Sequence, residues 1–222
     1  MSGYEPATPP SDAQWNPYGL AAPDSPLIAD AIEYARRHYD PCLFNHVIRS
    51  WLYAVRIART RNFQVDDEVI AVSVLLHDLG LTPAFSGLHR FEVEGANAAR
   101  AFAFEHGVSE RRGQLIWDSV ALHAIPSIGE HKETEVALCG AGIALDHCGA
   151  GLETFPPDEL AVILDAFPRL ELKRVLKACF CHLAVTKPAS VHEGLVHDFG
   201  QRFLAGYKSH SAVELIMNAP FD

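Results

Sequence analysis

The segment that most constrains this chain is V-I-A-V-S-V-L-L, Val69 to Leu76, followed directly by His77 and Asp78. Asp66, Asp67 and Glu68 precede it and set negative charge at the positive end of a helix dipole, so the run reads as a helix. Successive residues turn by about 100° around a helix axis, and in this run no direction is polar. A helix without a wet face has to be enclosed by other helices. It is also far shorter than the roughly 20 apolar residues of a membrane span. The expectation is an all-α bundle with this helix, Val69 to Leu79, at its centre and Gly80 as its stop.

The rest of the chain supplies the enclosing helices. Ser25 or Asp24 before Pro26 opens a first helix that runs to Tyr39, because proline at the first helical position loses no hydrogen bond. Apolar residues at helical spacing mark a second from about Leu43 to Arg59, through Val47, Trp51, Leu52, Val55 and Ala58. Further helical stretches cover about 92–106, 109–124, 134–149, 158–167, 170–186 and 195–207, and no alternating strand pattern competes with them. Residues 1–23 differ: Pro6, Pro9, Pro10, Pro17 and Pro23 interrupt any periodicity, so they read as an arm, with Trp15 and Tyr18 as its anchors. Residues 24–222 read as a single helical domain.

Composition narrows the partners. A formal net charge of −10 repels nucleic acid and acidic membranes, and leaves small neutral or cationic molecules as the fitting ligands. A homo-oligomer is compatible with the same surface. The five cysteines are an odd number and lie mostly in apolar helical segments, so reduced thiols in a soluble, cytoplasmic protein are expected rather than a disulfide framework. No signal pattern opens the chain.

The chemistry concentrates at His77 and Asp78, an ionisable pair at the end of an apolar helix. Burying such groups costs several kcal/mol per uncompensated charge, and a divalent cation would compensate them. Imidazole nitrogen and carboxylate oxygen are both good ligands for zinc, manganese or ferrous iron. Adjacent helical residues diverge, so other helices must supply the opposite ligands. His46, near the start of the second helix, and Asp146, at the end of the apolar A-L-C-G-A-G-I-A-L-D, are the candidates. The plainer alternative is that His77 and Asp78 hydrogen-bond locally and Asp146 caps a turn.

The order H…HD…D resembles the HD-domain superfamily of all-helical, metal-dependent hydrolases, and its cyanamide hydratase branch in particular. The resembling blocks are F-N-H-V-I-R-S-W-L-Y-A at 44–54, L-L-H-D-L-G at 75–80, R-F-E-V-E-G-A at 90–96, A-L-H at 121–123, A-L-D at 144–146 and A-F-P-R at 166–169. The resemblance implies an HD-domain helical bundle and one divalent ion, zinc or else iron or manganese, held by His46, His77, Asp78 and Asp146. It further implies addition of water to a nitrile-like carbon. His147 departs from it, since a cyanamide hydratase is expected to carry Asn there.

Around that centre, His123 ends an apolar stretch and is the first choice for handling protons; a second metal or a simple helix-end role are its alternatives. Asn45 would position water or substrate, or else serve as an ordinary helix-start residue. Of Glu92 and Glu94, Glu92 is taken as pocket-facing, and Leu81, Phe85 and Leu88 as the apolar walls. Cys179-Phe-Cys-His182 lacks a second spaced pair and reads as core. Three functions follow: a hydratase of small nitrile-type molecules such as cyanamide, a phosphohydrolase, and a non-catalytic metal-binding module. Leu81 stands where many HD phosphohydrolases carry lysine, which favours the first. Arg49, one turn beyond His46, keeps the second open.

Overall fold

The computed structural model describes residues 25–190, 193–208 and 212–220. The arm of residues 1–23, with Trp15 and Tyr18, lies outside the described residues, as do Asp24, His192 and His210. The described chain forms α1 (Pro26–His38), α2 (Pro41–Thr60), α3 (Asp67–Leu76), α4 (Phe91–Glu105), α5 (Glu110–Leu122) and α6 (Pro126–Gly129), then α7 (Thr134–Cys148), α8 (Pro157–Ala166), α9 (Leu172–Thr186), α10 (Gly194–Phe203) and α11 (Ala212–Met217). Among the described residues there is no strand, and no helix is long and apolar enough to cross a membrane.

α3 occupies the centre, as its apolar run requires: every residue from Val69 to Leu76 is buried, and α1, α2, α4, α5 and α7 pack around it. Its entrance is fastened from two sides. Asp66 caps the helix by accepting the Val69 amide at 3.1 Å, Arg112 of α5 donates to Asp66 and Glu68, and the Asp66 amide donates to Glu135 of α7. Truncating one of the enclosed leucines would cost roughly 2–5 kcal/mol in lost transfer energy and cavity.

The helix ends earlier than its apolar run suggested. α3 stops at Leu76, and His77 and Asp78 lie in the turn that leads into a 3₁₀ segment, Leu79–Leu81. Gly80 is not a left-handed cap, since its φ is not positive. It is required by packing: a Cβ there would stand 2.0 Å from the Phe91 carbonyl oxygen, and one on Gly95 would stand 2.8 Å from the His77 carbonyl oxygen. These two glycines let the turn carrying His77 and Asp78 lie directly on α4.

α2 begins at Pro41, two residues before the expected start, because Asp40 caps it by accepting the Cys42 and Leu43 amides at 2.8 and 3.0 Å. At its crossing with α7, a Cβ on Gly142 would meet the Ser50 carbonyl oxygen at 2.4 Å. That close approach sets the two helices that carry His46 and Asp146. α9 starts at Leu172, after Leu170 and Glu171 take positive φ angles of 45° and 61°, and α10 ends at Phe203, short of the expected Tyr207. α9 and α10 form a smaller apolar cluster with Phe91, and Leu81 and Leu176 pack on both clusters.

Candidate metal centre

Four elements meet beside the end of α3. α2 brings His46, the turn after α3 brings His77 and Asp78, the end of α5 brings His123, and the last turn of α7 brings Asp146. All five side chains are buried. The His46 and His77 rings stand 5.2 Å apart by centroid, and those of His77 and His123 4.8 Å.

The backbone decides which ring nitrogen faces inward. His77 Nδ1 lies 2.8 Å from the Val74 carbonyl and His123 Nδ1 2.6 Å from that of Val120. A carbonyl only accepts, so Nδ1 carries the proton and donates in both rings, and in the neutral ring Nε2 keeps a bare lone pair. His46 reaches the same state by donating Nδ1–H to Asp146 Oδ2 at 2.6 Å. The Asp78 carboxylate completes the group, with Oδ2 3.3 Å from His77 Nε2 and 3.7 Å from His46 Nε2. That oxygen is buried and makes no hydrogen bond.

A carboxylate oxygen and imidazole nitrogens turned on one another call for a cation: burial alone would lower the His77 pKa, but Asp78 outweighs it and raises it, and a divalent ion would answer the same need. Ligand atoms of His46, His77 and Asp78 all lie within 4.8 Å of one another, and two ligands about 2.1 Å from a tetrahedral ion stand roughly 3.4 Å apart. Two imidazole nitrogens and one carboxylate oxygen therefore fit a divalent metal. Burial by itself would raise the Asp78 carboxyl, but the adjoining imidazoles, His77 first, outweigh it whenever they carry a proton and hold the group well below the usual carboxylate range. Burial, joined by the neighbouring His77, pushes His123 down to about 3, so it stands neutral.

Asp146, the fourth expected ligand, lies against the ring of His46. It sits behind His46, and Arg49 donates to it through Nε and Nη2, each at 2.7 Å. Arg169 adds a bond at 3.1 Å to Oδ1 and one at 2.9 Å to the Asp146 carbonyl. Burial would raise this carboxyl too, and the hydrogen bonds from Arg49 and His46 hold it well below its ordinary range.

The other candidates divide. Asn45 donates its amide to the Pro168 carbonyl at 2.9 Å, so it ties the A-F-P-R loop to α2. Leu81 is half-buried at the junction of the two apolar clusters. Phe85 packs against His38 and Tyr34 of α1, at centroid distances of 4.9 and 6.2 Å. Leu88 is 91% exposed and forms no wall; Glu94 holds the next residue by accepting the His89 amide, and Leu88 is left in water. Glu92 is buried, but Arg90 occupies its carboxylate at 2.8 Å and reaches on to Glu193 ahead of α10. It is a strut rather than a pocket acid.

The role of Arg169, quoted only within the A-F-P-R block, and the partner of Arg49 were missed from sequence; His147 was noted only as a departure from the resembling family. Arg49 in the stripe V-I-R-S-W was the available signal, since a guanidinium among core residues requires an anion. His147 is half-buried with Nδ1 donating to the Ile143 carbonyl at 2.8 Å; burial and the nearby His46 lower its pKa.

Two cyanamide hydratases of Saccharomyces cerevisiae, DDI2 and DDI3, are each 24% identical to the chain over 181 residues, which is 78% of this chain and 79% of each relative. The model of the HD domain matches residues 43–173, a span that contains every member of the buried centre, and the chain belongs to the HD domain family.

Proposed function

We propose that this HD-domain protein is a metal-dependent hydratase that adds water to the carbon of a small neutral nitrile such as cyanamide, giving urea or an amide. His46, His77 and Asp78 would hold one divalent ion, zinc or else ferrous iron or manganese. Bound there, such an ion supplies a Lewis acid that polarises the substrate and lowers the pKa of water.

The chain's own residues do the rest. His123, neutral and with Nε2 bare, accepts a proton from water as the oxygen–carbon bond forms, and returns it to the substrate nitrogen. Phe91 packs edge-on against the His123 ring at 5.7 Å and holds that ring in place. The protons balance: water contributes its oxygen to carbon and one proton to nitrogen, and the product isomerises to the amide.

The observation that carries this reading is the fate of the arginines. A phosphate ester needs cations facing it, and Arg49 is fully buried with its donors spent on Asp146 and on the Phe167 and Pro168 carbonyls. Arg90 is bound to Glu92 and Arg169 to Asp146. Arg49 was the feature that kept the phosphohydrolase open, and its geometry removes that support. The naming of both yeast relatives as cyanamide hydratases supports the same choice.

The test is a substrate screen on purified protein of known metal content. Urea from cyanamide, or amide from another small nitrile, is the expected result. Efficient release of phosphate from nucleotides with every nitrile untouched would transfer the assignment to the phosphohydrolases.

A further inference from the structure

A second cavity, of about 860 Å³, opens along α2 and α7, and no residue of the metal centre lines it. Residues 56–61 at the end of α2 form one wall and residues 134–145 of α7 contribute the other, while 130–132 and 150–156, which precede and follow α7, complete it. Its volume lies within the roughly 300–1,000 Å³ of small-molecule sites, which are mostly apolar with a few polar groups.

The lining has that character. Ile57, Leu138, Ala141, Leu145 and Phe155 make it apolar, and Phe63 adds a ring that stands 40% exposed. Arg56, Arg61 and Lys132 are set against a single lining acid, Glu130, which itself faces His131 at 3.5 Å. In a chain of net charge −10 this is a local reversal of sign. The three cations are not equally available. Arg56 is held by Glu159 and Thr60, and Lys132 by Asp118 and Glu133 at 2.8 and 3.3 Å. Arg61 is exposed, and its guanidinium has no ion pair or hydrogen bond among the described residues.

We propose that this cavity is a second binding site, separate from the metal centre, that takes an amphipathic carboxylate of the medium-chain fatty acid type. The hydrocarbon chain lies on Ile57, Leu138 and Leu145, and the carboxylate meets Arg61, whose planar fork matches it with two parallel N–H donors. The apolar lining supplies the affinity, because each methylene removed from water tightens binding by about three- to fourfold. Arg61 supplies the choice of sign. One free guanidinium suits a monoanion, whereas a phosphate dianion would need the cations that Glu159, Asp118 and Glu133 already occupy.

The experiment is calorimetric titration of the full chain with decanoate, octanoate, decanol and decyltrimethylammonium, each below its micellar concentration. Decanoate should saturate a single site, octanoate should bind about 10-fold more weakly for its two missing methylenes, and decyltrimethylammonium should not bind. Arg61→Glu should weaken decanoate by about fivefold or more and leave decanol unchanged. Ala141→Trp, which fills the apolar lining, should abolish binding of both. Non-saturating uptake of decanoate, equal binding of the cationic analogue, or an Arg61→Glu variant with wild-type affinity would each overturn the proposal. A wild type that refuses decanoate while Arg61→Glu alters its self-association would overturn it too, and would give the cavity to a second copy of the chain. Should Ala141→Trp fail to fold, the exposed substitution Arg61→Glu decides the matter. None of these readouts involves metal or turnover, so their failure leaves the hydratase reading where it stands.

Discussion

Replacing Gly142 with alanine should loosen the metal centre from a distance, through the crossing of α2 and α7. The new Cβ would lie 2.4 Å from the Ser50 carbonyl oxygen, 2.8 Å from Ala54 Cβ and 2.9 Å from the Ala54 nitrogen. Two of these atoms are backbone and cannot rotate away, so α7 has to move off α2 by about an ångström to recover ordinary contact. Overpacking of this kind costs about 1–3 kcal/mol, partly offset by the 0.5–1 kcal/mol or so that alanine gains over glycine inside a helix. A net loss of about 1 kcal/mol lowers Tm by about 2–4 °C in a chain of this size. The same displacement stretches the 2.6 Å bond between His46 and Asp146, so metal affinity should fall as well. Gly140→Ala on the same helix is the control, because its Cβ would find its nearest neighbour at a comfortable 3.7 Å. Thermal unfolding and metal titration of both variants decide the point. If Gly142→Ala matched Gly140→Ala in both measurements, the claim that this contact sets the centre would be wrong.

His123→Ala should keep its metal and lower turnover by about 100-fold or more, read as kcat at saturating substrate with metal content measured in parallel. Leu88→Ser should leave Tm and turnover unchanged, within about 0.5 kcal/mol of stability; a marked loss of turnover would restore Leu88 to the pocket. Arg112→Ala should destabilise the entrance of α3 by about 1 kcal/mol at neutral pH, a value kept modest by the partial exposure of the pair. Burial raises the Asp66 carboxyl, while the Arg112 and Val69 hydrogen bonds outweigh that and leave it lowered. Its stabilisation is therefore complete above the unfolded value of about 4 and is lost as pH falls through the lower folded value. The gap between wild type and Arg112→Ala in denaturant unfolding should be largest at neutral pH and narrow steadily as pH falls below about 4, and a gap that did not narrow on acidification would rule out Asp66 as its source.

The sequence alone determined the helical class, the central place of Val69–Leu76 and the presence of a polar centre at His77 and Asp78. These features depend on residues a few positions apart: an apolar run without a polar side cannot face water, and a histidine and a carboxylate at its end need a counter-charge. The tertiary structure decided which side chains complete that centre. His46 and Asp146 are 100 residues apart and Arg49 and Asp146 97 apart, so nothing local shows that two arginines saturate Asp146 and leave Asp78 bare. The letters H, H, D and D look alike in the sequence, and only the fold shows which donors lie against each oxygen. The place of Gly80 has the same origin, since it answers to the Phe91 carbonyl across the interface with α4 rather than capping its own helix. Leu88 and Glu92 show the converse: hydrophobicity and charge suggested a wall and an acid, but Leu88 stands 91% exposed and Arg90 pairs with Glu92. Periodicity and local chemistry are carried by neighbours in the chain, whereas the occupancy of a lone pair is carried by whatever the fold brings against it.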